Sequence, residues 1–172
     1  GGGMENVGPV NPSIGSGGYV ALNYLIYFTV TSSTSLTSVD IFANSTSMGA
    51  SSSLVIIDLA DNSVVGTYPF TVTEAGSLTT GQTVLIDQSL SAGNYSIGLV
   101  DTVVSLYRNT GGATFPYTVS SLELTGHSFS GYPEYYYYFY NWVVGSECSS
   151  ARTEVVATVT SAPDFALSQT TL

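Results

Sequence analysis

Tyr135-Tyr136-Tyr137-Tyr138-Phe139-Tyr140-Asn141-Trp142 places seven aromatic rings in eight consecutive residues. Aromatic residues suit a pleated, half-buried surface, so the spacing predicts a β-strand over Tyr135–Val144. Successive side chains on a strand point to opposite sides. Tyr136, Tyr138, Tyr140 and Trp142 would then line one face, and Tyr135, Tyr137 and Phe139 the other. One face is expected to fill a core. The other is expected to meet a neighbouring sheet, a sugar or another copy of the chain.

Outward from this stretch, little reads as helix and strand signals recur at short intervals. They fall at Tyr19–Thr31, Leu36–Asn44, Leu54–Leu59, Val64–Val72, Gln82–Gln88, Gly93–Leu99, Val103–Arg108, Thr118–Leu124 and Thr153–Thr160. The separators are turn chemistry: Asp61-Asn62-Ser63, Ser91-Ala92-Gly93-Asn94 and Asn109-Thr110-Gly111-Gly112. About ten short strands with such turns predict an all-β fold, a two-sheet antiparallel β-sandwich of jelly-roll or immunoglobulin-like type. Leu54 to Leu99 reads as a meander of four antiparallel strands, with Val84, Ile86 and Gln88 alternating against Leu85 and Asp87. The expected division is a sandwich domain over residues 1–160, then a linker or added strand over 161–172 leading to a neighbouring domain or subunit.

The chain has 172 residues, enough for one good core. Only 8% of them are charged, yet twelve acids stand against two basic residues for a net charge of −10, with no lysine. The surface must be rich in hydroxyls, and like molecules should repel at neutral pH. Nucleic acid is excluded as a partner, because phosphate binding depends on clustered Lys and Arg. No stretch approaches the roughly 18 apolar residues of a membrane-spanning helix. Cys148 is the single cysteine, which rules out an internal disulfide. The opening Gly1-Gly2-Gly3 reads as the interior of a longer polypeptide.

Catalysis needs an activated nucleophile or two positioned acids. The one histidine, His127, lies in a loop-like Gly126-His127-Ser128 setting, and the acids are scattered over different elements. The expectation is a protein that is not an enzyme and has no cofactor. Calcium is the metal that suits the composition, since it accepts carboxylates and amide oxygens from loops, and Asp58, Asp61 and Asn62 form the densest such group. Aromatic rings with hydroxyl tips suit sugar stacking and interfaces. That points to Tyr107, Arg108, Asn109, Tyr117, Tyr135, Tyr137 and Phe139 as contact residues for a ligand or interface.

Several segments together carry a family resemblance: Gly1 to Pro9, Ser105-Leu106-Tyr107-Arg108-Asn109-Thr110-Gly111-Gly112, Phe115-Pro116-Tyr117, and Tyr136 to Trp142 followed by Cys148-Ser149-Ser150-Ala151-Arg152. Nearly the whole chain resembles a β-sandwich module of large secreted multidomain surface proteins of flavobacteria and related Bacteroidetes, found in a type IX secretion context near immunoglobulin-like and sorting domains. The resemblance implies a non-catalytic extracellular module, secreted or held at the cell surface. Asp101-Thr102-Val103 resembles the O-glycosylation acceptor pattern of that group, which would make Thr102 a modification site. Such proteins often carry a cysteine before the opening glycines, a partner for the counterpart of Cys148, and this chain lacks it.

Two functions follow as expectations. The first is a structural or adhesive module of a cell-surface protein or fibre, contacting neighbouring domains or copies of itself through strand addition and an aromatic surface. The second is a carbohydrate-binding module of a secreted polysaccharide-acting protein, with the rings as stacking platforms.

Overall fold

A computed structural model describes residues 3–146. Cys148, Arg152, the expected Thr153–Thr160 strand, the boundary at 160 and the 161–172 segment lie outside the described residues. The fold is all-β, as the turn and strand pattern predicts. Its strands are β1 (Met4–Val7), β2 (Gly17–Val20), β3 (Ile26–Val30), β4 (Thr34–Ile41), β5 (Ser51–Asp58), β6 (Val64–Thr71), β7 (Gln82–Leu90), β8 (Gly93–Leu99), β9 (Leu106–Asn109), β10 (Tyr117–Thr118), β11 (Leu122–His127), β12 (Tyr136–Tyr137) and β13 (Tyr140–Ser146). Two single 3-10 turns, Pro12–Ile14 and Ser45–Ser47, are each capped by the side chain of a preceding asparagine, Asn11 and Asn44.

These strands form three antiparallel sheets, none closed into a barrel, in a sandwich-like arrangement. The orders are β1-β13-β4-β7, β10-β11-β3-β8-β5-β6 and β12-β9-β2. Period-two burial explains the packing of the larger two. Leu54 and Ile56 of β5 and Val84, Ile86 and Leu90 of β7 are buried, while Leu85 between them is 67% exposed. The rings of Phe28 on β3 and Trp142 on β13 meet 5.4 Å apart and join the two larger sheets in one core.

The expected meander over Leu54–Leu99 is incorrect. β5 and β6 do form a hairpin, but β7 pairs with β4 in the other sheet, and β8 returns to lie between β3 and β5. Alternation within a strand says which side is buried, and it carries no information about which sheet the strand joins. Three other predicted strands are broken. Tyr19–Thr31 is interrupted between β2 and β3. Thr118–Leu124 contains a turn in which Val119 N–H donates to the Leu122 carbonyl. The strand expected from Val103 begins only at Leu106, because Asp101 accepts the Val103 N–H in a local turn.

On the outer side of the four-stranded sheet, polar side chains form a continuous row. Thr83 Oγ1 donates to Asp40 Oδ1 at 2.7 Å, Asn141 Nδ2 to Asp40 Oδ2 at 2.9 Å, and Asn6 Nδ2 to Asn141 Oδ1 at 2.7 Å. A hydroxyl and an amide, with no cationic partner, thus satisfy the Asp40 carboxylate on this surface.

Candidate functional site

The aromatic run is not one continuous strand. Tyr138 has φ +64°, and the Phe139 N–H donates to the Tyr137 carbonyl at 2.8 Å, which makes Tyr138 the centre of a tight γ-type turn between β12 and β13. Such a backbone costs roughly 1–3 kcal/mol for a bulky residue and persists only where the surroundings hold it. Here they do. The Tyr138 hydroxyl donates to the Leu22 carbonyl at 2.8 Å, and the Phe139 carbonyl accepts from both Tyr136 Oη and Trp142 Nε1 at 2.7 Å.

This turn overturns the two-face expectation. Tyr136 through Tyr140 and Trp142 are all buried, whichever face an ideal strand would have given them. Tyr137 and Phe139 therefore present no ring to solvent, and Tyr107 and Asn109 are also buried. Asn109 is a packing hub. It accepts from Tyr140 Oη at 2.8 Å, and its amide donates to the carbonyls of Pro12 at 2.8 Å and Gly15 at 2.9 Å. Burial raises the pKa of the Tyr136, Tyr138 and Tyr140 hydroxyls, so they remain neutral donors.

What the structure does gather is a tyrosine cage around Arg108. The guanidinium carbon lies 5.0 Å from the Tyr135 ring centre and 5.8 Å from that of Tyr137. Tyr24 closes on Tyr137 at 4.8 Å, and Phe129 on Tyr24 at 4.9 Å. Burial pushes the Tyr137 hydroxyl up to about 12, against the opposing pull of the Arg108 charge. Arg108 is the one Lys or Arg among the described residues. Its Nε and Nη1 atoms are covered and have no hydrogen-bond partner.

Beside the cage, Phe129, Tyr132 and Tyr135 form a stack of rings, with Phe129 and Tyr132 5.1 Å apart and 7° from parallel. Tyr132 is 45% exposed. His127 pins the loop that carries this stack. Its Nδ1 accepts the Phe129 N–H at 3.2 Å, which leaves Nε2 to carry the proton and donate to the Tyr132 carbonyl at 3.0 Å. Burial lowers the histidine pKa, against weaker upward pulls from its hydrogen bond to the Tyr132 carbonyl and from the Glu134 charge. An open cavity of about 240 Å³ lies against this loop, lined in part by Phe115, His127, Phe129 and Pro133.

The remaining expected residues lie elsewhere. Tyr117 is half-buried, accepting the Thr114 N–H and packing edge-on against Tyr136. The carboxylates of Asp58 and Asp61 accept the N–H groups of Ala60 and Ser63, and Asn62 sits at φ +60° between the strands. Turn formation therefore accounts for that group. Among the described residues no three His, Cys, Asp or Glu side chains gather as a metal site. Thr102 is exposed, next to an Asp101 that is held by Ser52 Oγ at 2.8 Å. Asp101 also borders an open cavity of about 490 Å³ lined by Ser51, Ser52, Ser53, Pro69, Phe70 and Thr71. No helix among the described residues is long and apolar enough to cross a membrane.

Sequence reasoning did not single out Tyr24, Phe129 or Tyr132. Phe129 and Tyr132 lie just before the dense run and stack on Tyr135 within one loop, and Tyr24 reaches Tyr137 and Phe129 from a distant part of the chain. No protein-family model matches the chain, and no curated protein matches it.

Proposed function

We propose that this chain is a non-catalytic adhesive or structural module of an extracellular, cell-surface protein or fibre. The observation that carries the reading is the burial of Tyr136–Tyr140 and Trp142 within the chain itself. The largest apolar resource of the sequence builds a stiff core, and the hydroxyls of Tyr136, Tyr138 and Tyr140 bond to the chain's own acceptors. The outward surface is a hydroxyl and amide lattice, suited to contact with neighbouring domains, other copies or a polysaccharide. The extracellular placement rests on the resemblance to secreted surface modules.

A carbohydrate-binding module is the second reading, favoured by the Phe129, Tyr132 and Tyr135 stack next to Arg108. Light scattering of the purified chain across salt and calcium concentrations, followed by a glycan array, separates the two. Large assemblies without glycan signal support the structural role. A monomer that binds a defined polysaccharide supports the second reading. Mass spectrometry of the secreted protein tests for a glycan on Thr102.

A further inference from the structure

We propose that residues 129–133 form an acid-released latch, shut by neutral His127 and freed when that imidazole takes up a second proton. The latch stands whichever of the two functional readings holds.

The loop is anchored at both ends and tied in between by one side chain. At its start the Ser128 N–H donates to the Leu25 carbonyl at 3.0 Å, and the Leu25 N–H donates to Ser128 Oγ at 2.9 Å. At its end the Ala113 N–H donates to the Glu134 carbonyl at 3.1 Å. Between these points residues 130–133 are exposed. Among the described residues, the loop makes three hydrogen bonds: Phe129 N–H to His127 Nδ1, His127 Nε2 to the Tyr132 carbonyl, and Tyr135 N–H to that same carbonyl. Two of the three run through the imidazole, and the third closes a local turn.

The bond at Nδ1 exists only for the neutral ring. An imidazolium donates from both nitrogens and accepts at neither. With a proton on Nδ1, that N–H and the Phe129 N–H would point at one another across a rigid ring. Either the ring turns and drops the Tyr132 carbonyl, or Phe129 backs away, and each movement frees the loop. Ring contacts remain, Phe129 on Tyr24 and Tyr132 on Tyr135 at 4.9 Å each, but they fix no direction.

The groups around the imidazole set the sign of the response. The rings of Tyr137 and Phe115 lie 5.2 and 5.9 Å from it, and Ile26 is its register partner on β3. Burial keeps Tyr137 neutral up to about 12, and Arg108 faces that ring at 5.8 Å. Glu134 is the charge that draws a proton to His127, and burial opposes it more strongly. An opened loop relieves that burial, so the ring binds its proton more tightly when open than when closed. Acid therefore favours the open form.

The loop also supplies one wall of the cavity of about 240 Å³. Phe129, Ser130, Gly131 and Pro133 line it from the loop, and Phe115 and Gly126 from the body. Release of the latch dismantles that wall while the sheets stay folded, a local opening of a weakly held segment.

The test is NMR of the full chain between about pH 8 and about pH 4.5. His127 is the one histidine of the chain, so its imidazole 15N signals need no further assignment. They should show the proton on Nε2 at the alkaline end. As the imidazole titrates, the hydrogen-exchange protection of the Phe129 amide should fall at least tenfold more than that of Ile97 in β8. His127→Asn keeps an acceptor that does not titrate, since an asparagine side chain bonds the backbone two residues on. Its Phe129 amide should stay protected at the acid end. A proton on Nδ1 at the alkaline end, a Phe129 amide that keeps its protection as the ring titrates, a loss no greater than that at Ile97, or an equal loss in His127→Asn each overturns the proposal.

Discussion

Asn109 and Tyr140 show how much a single polar pair can hold. The Asn109 side chain ties β9 to the turn at Pro12–Ile14 through its amide and to β13 through its carbonyl oxygen. Tyr140→Phe removes one donor, and we expect a loss of about 1–2 kcal/mol in denaturant unfolding. Asn109→Ala orphans the Tyr140 hydroxyl and two backbone carbonyls together, so its cost should exceed that of Tyr140→Phe, on the order of 3 kcal/mol. Equal costs would show that the turn contributes nothing through this amide. His127 gives a prediction in pH. Its folded pKa lies below the unfolded value of about 6.5, so the unfolded state takes up the proton first as pH falls. The corresponding stability is complete above about 6.5 and is lost as pH drops through the lower folded value. Unfolding midpoints measured between about pH 7.5 and 5 should show this decline in the native chain and a smaller one in His127→Gln.

Strands in this fold are defined by what they face, and that separates what could be read in the sequence from what could not. Gly93–Leu99 is legible in the sequence with the bounds it has in β8, because the Ser91-Ala92-Gly93-Asn94 turn signal marks where it starts. The β7 alternation is also visible in sequence. Ile86→Ala should cost about 2–4 kcal/mol through the cavity it leaves, whereas Leu85→Ala should stay within about 0.5 kcal/mol; comparable losses in thermal unfolding would place both on a buried face. The turn at Tyr138 was not visible. Period two extends through it in the sequence, and the positive φ is imposed by contacts with Leu22 and the neighbouring rings. The exposed contact surface expected of Tyr137 and Phe139 failed for that reason. The Arg108 cage is half legible: Arg108, Tyr135 and Tyr137 stand out as cationic and aromatic, and β12 pairs with β9 to bring Tyr137 beside Arg108, while Tyr24 joins them through a long-range ring contact with Tyr137 that no period in the sequence shows. Gly17→Ala, set against the backbone of β9, should destabilise far more than Gly18→Ala, and a denaturant series on the two variants checks it.

For the whole molecule, cooperativity should centre on the six-stranded sheet. β3, β8 and β5 each have a hydrogen-bonded neighbour on both sides, and β8 is buried along five consecutive residues. Hydrogen exchange should therefore be slowest at the amides of β8 and faster at the edge strands β6 and β7. Slowest exchange in β1 or β6 would contradict that assignment. The β1 and β13 pairing has a different kind of consequence. Met4 lies opposite Gly145 and Val7 opposite Trp142, so the start of β1 and the end of β13 stand side by side at one end of the same sheet. Tension applied between those two points would load the hydrogen bonds one after another, like a zipper, instead of shearing all of them at once. The domain would thus hang from such a line of force as a pendant, peeling at its base long before its tyrosine-rich centre felt any strain.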